Sequence, residues 1–296
     1  MNKLPLQKRV QILSMLCEGS SMRSISRVCD VSINTVVKML VDAGNVCMAF
    51  HDEKVVGVKA KRVQVDEIWS FTAAKQKNVP NMKKPVDGAG DTWTWTAIDA
   101  DSKLIVQWYV GDRDGETAKF FIDGLKTRLA TRIQLTSDGL KAYLEAVEGA
   151  FGADVDYAQL VKLYGASPES AKGRYSPAEC TGIVKTKIEG EPDEKHISTS
   201  YVERQNLTMR MHMRRFTRLT NGFSKKLERH IAAVSLYFVF YNWMKIHKTL
   251  RVTPAMAAGL TDKLMAMEDL VALIDSAADK PKRPAVYKKR DAEISN

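Results

Sequence analysis

Three carboxylates in this sequence stand where a carboxylate is costly or conspicuous. Asp66 interrupts the β-branched, apolar run VQVDEIWSF, where a charged group loses its hydration unless it is paired or holds a cation. Asp138 stands two positions after the β-prone run RIQLT, at the kind of strand tip where α/β sheets present reactive residues. Glu203 opens YVERQNLTMRMHMRR, a segment otherwise rich in cations. Hard divalent ions such as Mg²⁺ or Mn²⁺ take oxygen ligands, and carboxylates from two strands and a helix suit two ions about 3.5–4 Å apart. One such ion activates a water or 3′-hydroxyl, and the other stabilises the departing 3′ oxygen of an in-line phosphodiester displacement. Each residue also has a simpler account. Asp66 is then a paired strand residue, Asp138 an Asp-Gly turn, and Glu203 a charge that favours a helix N-terminus. Taken singly, the simpler accounts are the stronger ones for Asp138 and Glu203.

The elements that would position these groups follow from periodicity. Residues 5–45 read as three short helices: an apolar stripe from Leu4 to Cys17, a break at Gly19-Ser20-Ser21, a second helix from Met22 to Cys29, a turn at Asp30-Val31 with Ser32 as N-cap, and a third helix from Asn34 to Val41 closed by Gly44. This is a helix-turn-helix pattern, with Ser32, Asn34, Thr35 and Lys38 at the positions that face a DNA groove and Arg23 and Arg27 beside them. Packing or dimerisation by a small helical bundle is the alternative. Strands are expected over 62–71, 93–100 and 103–112, the last two joined by a hairpin turn at Asp99-Ala100-Asp101-Ser102. A helix over 116–130, a strand over 132–136, a helix over 141–150 and a strand over 154–161 follow. Residues 73–90 read as a loop, 163–197 as a Gly-, Pro- and Ser-rich insertion, 201–218 and 225–249 as helices, and the region near 254–278 as a short helix before a basic tail. The order β-β-β-α-β-α-β with a later long helix is the coarse pattern of an RNase H-like α/β domain.

Composition narrows the function classes. The 296 residues are 45% apolar and 27% charged, which excludes a disordered chain, a collagen-like fibre and a disulfide scaffold. The longest apolar stretch, 231–244, is broken by Ser235 and Asn242 and is too short to span a bilayer. No signal peptide is visible, and four widely spaced cysteines fit a reducing cytosol. The expected location is therefore the cytoplasm. The net charge of +10 is uneven: residues 203–251 hold 11 basic and 2 acidic side chains, a net +9, whereas residues 61–202 hold 19 and 21, a net −2. An acidic centre beside a basic segment is the arrangement expected when carboxylates hold metal and cations hold phosphates; a solvated basic helix face is the bland alternative.

The segments VDEIWSF, TSDGLKAY and YVERQNLTMRMHMRRFTRLTNGFSKK, preceded by the helix-turn-helix pattern, together resemble the DDE transposases of bacterial insertion sequences, in particular the insertion-sequence-one type. The segment YNWMKIHKTLRVTPAMAAG is similar to the motif that closes many transposase and integrase cores. The resemblance covers about residues 5–260. It implies an RNase H-like core with Asp66, Asp138 and Glu203 as catalytic and metal-binding triad and two Mg²⁺ or Mn²⁺ ions. Arg210, seven residues after Glu203, would lie at the terminal phosphate or bases. It also implies binding of double-stranded DNA, both inverted-repeat ends and target, strand cleavage and joining without a covalent protein–DNA intermediate, and a homodimer or higher oligomer that holds two ends. The separation of 65 positions from Asp138 to Glu203 exceeds the spacing of compact members, an excess assigned to the 163–197 insertion. Relatives can carry an N-terminal zinc finger; here Cys17, Cys29, Cys47 and His51 include no CxxC pair, and Cys17 and Cys29 are read as helix-core residues.

The chain is thus expected to comprise a helix-turn-helix domain over 1–50, a catalytic domain over 60–260, and a C-terminal helix and basic tail over 261–296. Arg204, Arg214, Arg215, Arg218, Lys225 and Lys226 are the expected phosphate contacts. Glu67 is expected to point to the face opposite Asp66 and to take no part as a ligand. Asp99 is a rival metal position, with a hairpin turn as its simpler account. Trp69, Trp93, Trp95 and Trp108 are expected to pack on the sheet, with a wedge against a flipped base as the alternative. His247 is read as structural. Two other readings remain: a DNA-binding regulator or decayed transposase without catalysis, and an RNase H-like nuclease or resolvase.

Overall fold

The computed structural model describes residues 3–165, 180–217 and 221–278. Its centre is a mixed six-stranded sheet: β1 (Arg62–Thr72), β2 (Gly90–Asp99), β3 (Ile105–Gly111), β4 (Gln134–Ser137), β5 (Asp156–Tyr164) and β6 (Cys180–Glu189), in the spatial order β3-β2-β1-β4-β5-β6. β1, β2 and β3 form an antiparallel meander, β4 and β5 run parallel to β1, and β6 is antiparallel to β5. β6 is a departure from the sequence reading, in which 163–197 is only an insertion. Part of that span is a strand that pairs its backbone with β5 while most of its side chains stay exposed, so it lacks the burial signal that marks a strand in sequence. Residues 166–179 lie outside the described residues.

The helices are α1 (Leu6–Cys17), α2 (Met22–Val28), α3 (Ile33–Lys54), α4 (Gly115–Arg128), α5 (Ala142–Phe151), α6 (Ser200–His212), α7 (Leu227–Val239), α8 (Pro254–Ala257) and α9 (Met267–Ala277). Side chains alternate between two cores across the sheet. Val63, Val65, Trp95, Ala97 and Val106 meet α4, α5 and the N-terminal helices on one face, and Ile68, Ile98 and Ile105 meet α6 and α7 on the other. The hairpin turn expected at 99–102 forms around Asp99, whose carboxylate accepts from the Asp101 and Ser102 amides at 3.2 and 3.1 Å, so Asp99 is used by its turn.

The expected helix starts hold. Ser21 Oγ accepts from Ser24 N at 3.1 Å and Ser32 Oγ from Asn34 N at 3.2 Å, capping α2 and α3. The expected end of the third helix does not hold. α3 runs through Gly44 to Lys54, so the domain boundary expected at residue 50 falls inside a helix. The reason is packing. A Cβ on Gly44 would lie 2.4 Å from Ala232 Cα, so α3 and α7 cross backbone against backbone, and Ser235 Oγ donates to Gly44 O at 2.8 Å. By length and composition α3 is apolar enough to cross a membrane, but its buried side (Val36, Leu40, Ala43, Cys47, His51) faces the protein core.

Two further helix expectations are shortened. α6 stops at His212 and is followed by a 3₁₀ turn over Arg214–Phe216, so Arg214 leaves the helical face shared by Glu203 and Arg210. α7 gives way to a π turn over Phe240–Met244. There Asn242 bonds both backbone groups of Ile105 at 3.0 Å, clamping the start of β3.

Candidate functional site

β4 is only four residues long and pairs with β1 no further than Gln64 opposite Thr136. Beyond that point the flank of β1 is open as far as Thr72, which bridges to Ser224, and Asp138, just past the end of β4, stands beside the middle of β1. A cleft of about 920 Å³ opens here, lined by Asp66, Glu67, Arg113, Asp138, Lys162, Thr199, Glu203, Asn206 and Arg210 among others. Asp66, Asp138, Glu203 and Arg210, singled out from sequence, therefore share one cleft.

They do not share it equally. Carboxylate oxygens of Asp66, Glu67 and Asp138 lie within 4.8 Å of one another. The carboxylate of Glu203 is engaged separately, by the ammonium of Lys162 on β5 and by Thr199 Oγ1 at 2.7 Å. Asp66 Oδ2 accepts from Asn206 Nδ2 at 2.8 Å. Burial, followed by the charges of Glu67 and Asp138, pushes the Asp66 carboxyl up to about 7. Asp138 Oδ1 accepts from Leu140 N at 2.9 Å, so part of its carboxylate serves the local turn, while Oδ2 is 4.0 Å from Arg113.

Glu67 corrects the strand-alternation argument. It does face away from Asp66, into the side of the sheet that holds α5, where Tyr143 donates to it at 3.1 Å. Yet with no neighbouring strand alongside β1 at this height, its carboxylate reaches Asp66 and Asp138 around the open edge. Arg113, in the loop after β3, donates to Glu67 Oε1 through Nε at 2.7 Å, and its second nitrogen lies 2.6 Å from the same oxygen. Burial nonetheless raises the Glu67 carboxyl above its usual range. Arg113, Lys162 and Asn206 also escaped the sequence reading. Only Asn206 carried a usable signal, three residues after Glu203 and hence on the same side of α6.

The donor set fits a hard divalent cation. It consists of oxygens alone, it concentrates negative charge, and the buried Asn206 Oδ1 has no hydrogen-bond donor among the described residues. Asp66, Asp138 and Glu67 are placed to hold such an ion, with Glu203 at the cleft wall.

The expected DNA contacts are scattered. Arg23, Arg27, Ser32, Asn34 and Lys38 are exposed on α2 and the start of α3, and Thr35 is half-buried. Lys38 pairs with Asp42. Arg23, Arg214, Arg215 and Lys225 line a second cleft of about 730 Å³ between α2–α3 and the α6–α7 connection. Arg204 and Lys226 are exposed elsewhere, and Arg218 lies outside the described residues. Arg215 departs from a phosphate-facing position. Its guanidinium turns inward to Ser224 Oγ at 2.8 Å and Arg229 O at 3.0 Å, and burial lowers its pKa to about 10.

The histidines and cysteines are mostly interior. Cys17, Cys29 and Cys47 are buried free thiols in two different core clusters, and His51 is buried against Trp108 and Trp243 with its pKa lowered to about 3. His247 stands edge-on to Tyr241, with ring centroids 4.7 Å apart.

No family model matches the sequence, and no curated protein matches it. Among solved structures, the chain is similar to one described as a cryo-EM structure of a piggyBac transposase synaptic complex with hairpin DNA. The TM-score is 0.44 at 6% identity, over 94% of this chain and 73% of the other.

Proposed function

We propose that this protein is a DNA transposase whose sheet and flanking helices form an RNase H-like core for metal-dependent strand cleavage and strand transfer. The observation that carries the reading is the cleft at the open flank of β1, where Asp66 and Asp138 converge and which Glu203 and Arg210 also line. A bound Mg²⁺ or Mn²⁺ pair would supply activation of the attacking water or 3′-hydroxyl and stabilisation of the leaving oxygen. The chain's own residues do the rest. Asp66 and Asp138, with Glu67 beside them, would hold the ions, and Glu203 on the cleft wall would complete the set on leaving Lys162. Arg113 fixes Glu67, Asn206 fixes Asp66, and Arg210 on the cleft wall meets the terminal phosphate. Exposed cations of α2, α3 and the 204–226 region contact duplex phosphates, and α3 presents Asn34 and Lys38 to the DNA ends. Two ends are held at once, which calls for at least a dimer.

The test uses the full chain, Mg²⁺ and DNA carrying the sequences that flank the gene. Wild type cuts the ends and joins them to a target, and Asp66→Ala, Asp138→Ala and Glu203→Ala abolish both steps while retaining end binding. Cleavage that survives any one substitution removes that residue from the triad. Cutting without joining replaces transposase by nuclease, and binding without either replaces it by a DNA-binding regulator.

A further inference from the structure

The face of the β1–β2 ladder that carries Glu67 changes character along its length. Val65, Glu67, Trp69 and Phe71 alternate onto this face, and Trp95 and Trp93 stand opposite Glu67 and Trp69 in register. Trp95 is fully buried against Phe121 and Tyr143, with ring centroids 5.8 and 5.3 Å away. One pair further along, the cover of α4 and α5 ends, and Trp93, Trp69 and Phe71 are only half-buried. Phe223, in the segment before α7, stacks on Phe71 with centroids 4.8 Å apart and planes inclined by 27°, and Trp69 lies 5.8 Å from Phe71. Every ring has a cation over it: Arg113 at 4.9 Å from Trp93, Lys75 at 5.7 Å from Trp69 and 5.9 Å from Phe71, and Lys225 at 5.4 Å from Phe223.

We infer that this row of rings is a stacking platform for unpaired nucleotides of a DNA end, a binding site that adjoins the carboxylate cleft. Rings alone would make an apolar patch, and cations alone a phosphate patch. Their interleaving matches a single strand, whose bases offer π-faces and whose phosphates need counter-charges. Paired bases are already stacked on one another, so the ligand is the unpaired part of the strand. The location fits as well. Four residues of strand place Phe71 about 13 Å beyond Glu67, a span of roughly four nucleotides at the helical rise of ~3.4 Å. Arg113 belongs to both places, bonded to Glu67 in the cleft and lying over Trp93 on the platform.

The inference rests on the nucleic-acid reading above, and its test separates the two. Affinities of the full chain without divalent ion are measured for a blunt duplex and for the same duplex with a short oligothymidine tail. The tail is expected to tighten binding roughly tenfold and to quench tryptophan fluorescence. Phe71→Leu and Phe223→Leu keep apolar volume but lose the ring. Each erases most of the tail's gain and leaves blunt-duplex affinity unchanged. Trp69→Phe keeps the gain and loses most of the quench. If the leucine variants unfold, exposed Lys75→Gln carries the same test, with a severalfold loss for the tailed duplex only. Equal affinity for tailed and blunt DNA in the wild type, or a gain that survives loss of the rings, overturns the platform and leaves the transposase reading standing. Binding of neither DNA overturns both.

Discussion

Asn206 Nδ2 donates to Asp66 Oδ2 across 2.8 Å, joining α6 to β1 at the centre of the carboxylate cleft. The bond sets which side of α6 meets the strand, and Glu203, one turn earlier, is carried to the cleft wall with it. Asn206→Leu leaves a half-buried carboxylate without its donor. The expected cost is about 1–3 kcal/mol in urea unfolding. The Asp66 carboxyl, followed by carbon NMR, is expected to titrate still higher than in the wild type, and a fall would contradict the role assigned to Asn206.

The raised Asp66 carboxyl makes stability pH-dependent in a definite direction. It titrates at about 7 in the folded protein, where burial and the neighbouring carboxylates hold it up, against roughly 3.9 in an unfolded chain. Between these values the folded state binds the extra proton. The associated stability is fully present at low pH and is lost as pH rises through 7. Asp66→Asn has no such proton, so its melting temperature relative to wild type should climb between about pH 4 and 7 in chelator and level off above that. Saturating Mg²⁺ should shrink that difference by favouring the charged form. A difference that is flat with pH would show that Asp66 titrates normally.

Lys162 is a resident cation on Glu203 and competes with any ion that needs the same oxygens. Lys162→Met should raise the Mn²⁺ affinity of the DNA-free protein by roughly two- to fivefold, the size of a partly exposed ion pair. Glu203→Gln should lower it. Calorimetric titration reads both, and an unchanged or weaker Mn²⁺ affinity in the methionine variant would refute the competition.

Gly44→Ala tests the crossing of α3 and α7. In an open helix this change stabilises by about 1 kcal/mol. Here the new Cβ would meet Ala232 Cα at 2.4 Å, so a net loss of about 1–3 kcal/mol is expected. Pairing it with Ala232→Gly should recover part of the loss. Urea midpoints at constant m-value decide the sign.

Much of this arrangement was legible in the residues. The cap at Ser32, the alternation of β1 and the hairpin at Asp99 depend on local chemistry, and local chemistry is what a sequence displays. What escaped depends on distance and on edges. Glu67 was set aside because alternation assumes neighbours on both sides of a strand, and β4 ends too soon to provide one. Gly44 looked like a helix stop, but its lack of a side chain serves a helix 188 positions further on. Lys162 and Arg113 gained their meaning only when β5 and the loop after β3 came alongside Glu203 and Glu67. β6 stayed hidden because an exposed edge strand has no apolar face to betray it.

The unbroken α3 has one more consequence. Its 22 residues make a rod of roughly 33 Å, running from the exposed turn at Ser32 past His51, beneath β3, to Lys54. Because the rod is welded to α7 at Gly44, whatever its outer end grips is held at a fixed span and a fixed rotation from the cleft. The distance along DNA between a recognised sequence and the cut would then be gauged by a stiff ruler. Lengthening α3 by one residue would turn its two ends relative to each other by about 100°, putting the grip out of phase with the blade.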